Sequence, residues 1–129
     1  MKRTTLILIA LVLAVGIAYA QKAPQGDEYK QWMQDVNQNN RAFTDAYNEM
    51  NMSDATGAID ALVALYTKME AHWAAQEEKD DAVGWSTMAK EAMTEAQQKM
   101  RLNDIAYSLN LLEKAQTTCQ PCHQAYRPQ

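Results

Sequence analysis

Apolar side chains recur along this chain in alternating steps of three and four. From Tyr29 the stripe runs through Met33, Val36, Asn40, Phe43, Tyr47 and Met50, a spacing that puts every member on one face of a helix. Ile59, Leu62, Tyr66, Met69 and Trp73 repeat it. Ala82, Trp85, Ala89, Ala92, Ala96 and Met100 make a third stripe, and Ile105, Leu109, Leu112, Cys119, Cys122 and Tyr126 a fourth. No segment alternates with period two for long enough to read as a strand. Pro24 and Gly26 mark residues 21–27 as a short tail. Ser53 or Asp54, then Asp80 or Asp81, then Asn103 or Asp104 offer side chains that can cap a helix start. The expected helices are 28–51, 54–78, 81–101 and 104–126, each about 32–38 Å long at 1.5 Å per residue. Connections of a few residues force each helix back beside its predecessor. The expected fold is all-α, an up-down-up-down antiparallel four-helix bundle.

Composition narrows the class. With 129 residues, 47% of them apolar, the chain can build one domain with a real core. Twelve basic against sixteen acidic residues leave a net charge of −4, which argues against a nucleic-acid partner. Lys2 and Arg3 precede an apolar run from Leu6 to Ala18, and Ala18-Tyr19-Ala20 supplies a small-x-small cleavage pattern. Residues 1–20 therefore read as a signal peptide cut after Ala20, with 21–129 as the exported domain. The run is shorter than the roughly 20 apolar residues a membrane-spanning helix needs. The expected location is the periplasm, without stable membrane insertion after cleavage. Loss of Lys2 and Arg3 makes the exported domain more acidic still.

The motif with the most chemical content is Cys119-Gln120-Pro121-Cys122-His123. C-x-x-C-H is the covalent attachment site of a c-type haem. Two thiols three residues apart match two vinyl groups on one porphyrin edge, and the adjacent imidazole reaches the iron. Both cysteines of the chain lie in the motif. Other readings are weaker. A thioredoxin-like site needs a βαβ context. A zinc site lacks a fourth ligand nearby, since the other histidine is His72. A lone disulfide leaves His123 unexplained.

A helical bundle with this motif near its C-terminus, continued as His123-Gln124-Ala125-Tyr126-Arg127, resembles class II cytochrome c. That family includes the cytochromes c′ and the low-spin cytochromes c-556. The resemblance implies one haem c near the bundle end that holds the C-terminus, thioethers at Cys119 and Cys122, His123 as the fifth iron ligand, and Arg127 near the haem edge. Pro121 departs from the pattern: it removes a backbone donor and is expected to kink or tighten the last helix.

In an up-down-up-down bundle, the end of helix four shares its level with the starts of helices one and three and the end of helix two. Those segments hold Trp32, Met33, His72, Trp73, Trp85 and Met88. Trp32, Trp73 and Trp85 are expected to wall the haem, and the alanine stripe of helix three, including Ala89, to leave it room. Met33 is the leading sixth ligand, on its level in the bundle and on the likeness of Trp32-Met33-Gln34-Asp35 to the first helix of the c-556 branch. Tyr29-Lys30-Gln31 is similar instead to cytochromes c′, in which no protein ligand fills the distal site; His72 is a further candidate. Asn37 and Asn40 lie near the inward stripe, where a polar residue fixes register or hydrogen-bonds a bound group. Glu77-Glu78 and Lys79-Asp80-Asp81 read as a solvated loop without chemistry.

With no acid–base pair in view, the expected role is a carrier of single electrons between periplasmic redox proteins, not an enzyme. A five-coordinate cytochrome c′ that binds gases such as nitric oxide is the alternative. The family's habit of pairing through its first two helices leaves a homodimer open, although both outer faces here are polar.

Overall fold

The computed structural model describes residues 26–126. The expected signal peptide, residues 1–20, and Arg127 lie outside the described residues. The chain divides into two compact units, one ending at Lys30 and one beginning at Gln31. The second unit holds the helical core; of the first, the described residues are Gly26–Lys30, the opening turns of α1.

Five helices appear in order: α1 (Gly26–Asn48), α2 (Met52–Ala74), α3 (Asp80–Arg101), α4 (Ile105–Gln116) and α5 (Cys119–Tyr126). No strand occurs among the described residues. The all-helical fold is that of a four-helix bundle in which the fourth member is broken into α4 and α5. Phe43, Ile59, Leu62, Met93 and Leu112, from α1, α2, α3 and α4, are fully buried, so each of these helices turns an apolar face inward.

Contacts across the bundle fix the antiparallel sense. Lys90 of α3 meets Glu70 of α2 at 2.6 Å, while Gln97, further along α3, donates to Asp60, earlier in α2, at 2.7 Å. Ala82, Ala89, Ala92 and Ala96 are buried on one side of α3. Small side chains let helix backbones approach closely, and the most extensive backbone contacts among the described helices are those of α3 with α2 and with α4. The alanine face is covered by protein and does not stand open, contrary to the expectation that it leaves room for a haem. Ser108 of α4, fully buried, donates across this interface to the Ala96 carbonyl at 3.1 Å.

The connections are short because each residue serves twice. At the end of α1, Met50 takes a left-handed φ of 54°, the Met50 N–H bonds to the Tyr47 carbonyl, and the Asn51 N–H to that of Ala46. This is a Schellman closure. Asn51 then caps α2, its side-chain oxygen accepting the Asp54 N–H at 3.1 Å. The cap is therefore Asn51, not Ser53 or Asp54. The end of α3 repeats the device: Asn103 sits at φ 58°, the Asp104 N–H reaches the Lys99 carbonyl, and Asp104 caps α4 through the Tyr107 N–H. Met50, the last member of the expected first stripe, is 68% exposed in its turn and does not pack.

Two boundaries differ from expectation. Helix α2 stops at Ala74, not residue 78, because Trp73 is its last buried side chain and residues 74–78 are exposed. The fourth helix breaks at Thr117–Thr118, which form a turn. Pro121 has no N–H for the Thr117 carbonyl, and its ring would strike that carbonyl in a continuous helix. Placed in the first turn of α5, it loses nothing. Thr118 is buried at the break, and its hydroxyl donates to the Ala115 carbonyl at 2.8 Å.

Candidate functional site: an attachment helix beside an aromatic row

Helix α5 carries the C-x-x-C-H motif whole. Cys119 and Cys122 lie one turn apart, the spacing that brings side chains to one face of a helix. Both are half-buried free thiols. Burial raises the pKa of the Cys119 thiol above its ordinary value. Burial also raises that of Cys122, with further upward pushes from Cys119 and the Asp81 carboxylate. The pair is held as neutral S–H groups at neutral pH. His123, the next residue, is exposed. No residue of α5 is fully buried.

The far end of α5 is anchored by Tyr126. Its ring lies 5.0 Å from Trp73 at the end of α2 and 6.4 Å from Trp85 in α3, centre to centre. Trp73 in turn meets His72 edge-on at 5.1 Å, and His72 meets Trp32 of α1 edge-on at 5.9 Å. The three tryptophans and His72 are thus gathered at one end of the bundle with Tyr126, in a continuous aromatic row. His72 also lies 2.9 Å from the Gln76 side-chain nitrogen. Met33 follows Trp32 on α1 and is half-buried. Met88 is half exposed to solvent.

Two charged residues complete the Tyr126 contacts. The Tyr126 hydroxyl donates to Asp81 Oδ1 at 2.5 Å, and the same oxygen accepts the Ala82 N–H at 2.8 Å. Lys79 Nζ stands 4.3 Å above the Tyr126 ring centre, within range of a cation–π attraction. The Tyr126 bond is the main cause holding the Asp81 carboxyl below its usual pKa, and the bond to Asp81 drives the Tyr126 phenol up to about 12. The segment Lys79–Asp81 is therefore no inert solvated loop. Periodicity could not reveal this link, because it joins surface positions 45 residues apart.

Asn37 is exposed and borders a surface groove with Gln34, Gln38 and Arg41, away from the core. Asn40 is half-buried, and its side-chain oxygen is buried without a hydrogen-bond partner among the described residues. A buried acceptor left open in this way is the kind of group that a bound polar ligand or water satisfies.

Among the described residues, no three His, Cys, Asp or Glu side chains converge to cage a bare metal ion, and no helix is long and apolar enough to cross a membrane. Comparison with protein-family models, with curated proteins and with solved structures gives no match.

Proposed function

We propose that the chain is a mono-haem c-type cytochrome of the periplasm that carries single electrons, similar to the low-spin branch of class II cytochrome c. The observation that carries the reading is the donor set of α5: two half-buried free thiols on one helical face, followed at once by an exposed imidazole. These residues fit a haem and fit its rivals poorly. Thiols that exchange disulfides work as thiolates with lowered pKa, whereas burial pushes both of these the other way. A bare zinc ion needs four protein donors or three and a water, whereas an iron held in a porphyrin ring needs one or two.

In this reading Cys119 and Cys122 would tether the ring, and His123 would hold the iron. Trp32, Trp73 and Trp85 would offer it apolar surface, and Met33 of α1 would be the sixth ligand. Bound haem supplies a one-electron ferric–ferrous couple. A Met33 thioether as the second donor would favour the ferrous form of such a haem, and apolar walls that limit water would act in the same direction. The protein's part is to hold these donors rigidly, so that little rearranges when charge changes.

Expression with residues 1–20 in a bacterium able to attach haem tests the proposal. A band that retains haem staining after boiling in detergent, and loses it when Cys119 and Cys122 are both replaced by Ala, is the expected result. A bare polypeptide mass for the exported protein would end the reading. The ferric spectrum then separates two kinds of cytochrome. A low-spin spectrum that becomes high-spin in Met33→Ala supports the electron carrier. A wild-type protein already high-spin and open to carbon monoxide would replace it with the gas-binding alternative.

A further inference from the structure

Helix α5 has little to hold it. It has eight residues and no fully buried side chain, and a helix of that length does not persist alone in water. At its start the Thr117–Thr118 turn detaches it from α4. Near its end Tyr126 touches three separate places: Trp73 at the end of α2, Lys79 in the connection, and Asp81 with Trp85 in the first turns of α3. A helix pinned at one end can swing and roll; pinned at both, it cannot. Tyr126 lies three residues beyond His123, one turn on and on the same side.

Asp81 is itself immobilised, because Oδ1 accepts the Ala82 N–H as well as the Tyr126 hydroxyl. We propose that Asp81 is a positioning residue for the attachment helix: through Tyr126 it locks α5 against α2 and α3 and so fixes the orientation of His123. The inference rests on the haem reading for its consequence at the iron, but the lock itself is a property of the polypeptide. Ring stacking brings Tyr126 to the bundle, and the hydrogen bond selects one rotation of the phenol and of the helix that bears it.

The test uses the full chain, expressed with its leader in a haem-attaching bacterium, in three variants. Asp81→Ala removes the acceptor. Tyr126→Phe keeps the ring and removes the donor. Asp81→Asn keeps an acceptor oxygen in place without the charge. Hydrogen exchange followed by mass spectrometry reads the opening of residues 119–126, and the visible spectrum and reduction potential read the iron. Asp81→Ala and Tyr126→Phe are expected to speed exchange in α5 by about tenfold, the factor that one hydrogen bond to a charged group supplies, while exchange in α2 and in α3 beyond its first turn is unchanged. Both should also lower the low-spin fraction and shift the potential, and Asp81→Asn should recover part of each effect. Exchange within twofold of wild type in both Asp81→Ala and Tyr126→Phe would overturn the proposal. So would an Asp81→Asn protein as disturbed as Asp81→Ala. Wild-type protein without haem would sink the cytochrome reading alone, since the exchange measurement still decides the lock.

Discussion

Two residues show how local backbone and proton chemistry set properties that composition does not. Met50 occupies a left-handed position at φ 54° with its side chain 68% exposed. A Cβ is unfavourable there, and glycine is the residue that such closures normally carry. Met50→Gly should therefore stabilise the protein by about 1 kcal/mol, read as a higher urea midpoint with an unchanged slope. Asn103→Gly, at φ 58°, should gain less, because asparagine tolerates this region.

Tyr126 makes a sharper case. Its folded pKa, raised to about 12, lies above the ordinary value of 10.0. Such a group contributes stability that is complete below pH 10 and is lost as pH rises through about 12. Asp81, with its folded pKa lowered, works in the opposite direction: its contribution is present above the ordinary carboxyl range and disappears as pH falls through the lowered value. The bond between them therefore operates across the neutral range and fails at both extremes. An ultraviolet titration should show a tyrosine step near pH 12, and Asp81→Ala should return that step toward 10. A wild-type titration with no late step would contradict the hydrogen bond.

At the scale of helices, the period of three and four made the bundle legible. Every stripe assigned to helices one to three lies on the helix expected for it, except that Met50 falls in the turn beyond its own. Pro121 signalled the disturbance in the fourth helix, and the structure turns that signal into a clean break four residues earlier. What periodicity could not give was the end of α2, which depends on where burial runs out, or the cap at Asn51, which looks no better in the sequence than Ser53 or Asp54. The gathering of Trp32, Trp73 and Trp85 followed from topology alone. The Tyr126–Asp81 bond did not, since neither partner sits in a pattern that points to the other. One interhelical contact invites a direct test. Ser108 is fully buried where α4 crosses α3, donating to the Ala96 and Asp104 carbonyls. Ser108→Ala keeps the close approach and forfeits the bonds, at a cost of about 1 kcal/mol. Ser108→Leu forces the helices apart and should cost about 1–3 kcal/mol. Thermal unfolding of the pair should rank Leu below Ala; the reverse order would mean that α3 and α4 are not tightly packed there.

For the whole molecule, charge is the property that acts at a distance. The chain carries sixteen acidic and twelve basic residues, and removal of a leader containing Lys2 and Arg3 would sharpen the imbalance without changing its sign. A negative protein attracts positively charged reaction partners from beyond contact range and repels negative ones. Salt shortens that reach: the Debye length falls from about 30 Å at 0.01 M to about 8 Å at 0.15 M. If the chain exchanges electrons with other molecules, the rate must carry this signature before any partner is known. Stopped-flow oxidation of the reduced protein by a cationic reagent, such as a cobalt(III) amine complex, should slow severalfold over that range of salt. Oxidation by an anionic one, such as ferricyanide, should speed up. Two equal salt responses would mean that the acidic residues lie away from the point of electron exit. A reversed pair would place a positive surface there, with Lys79 above Tyr126 at the aromatic end as the first residue to replace. The sign of the two slopes thus reports which end of the bundle faces the partner.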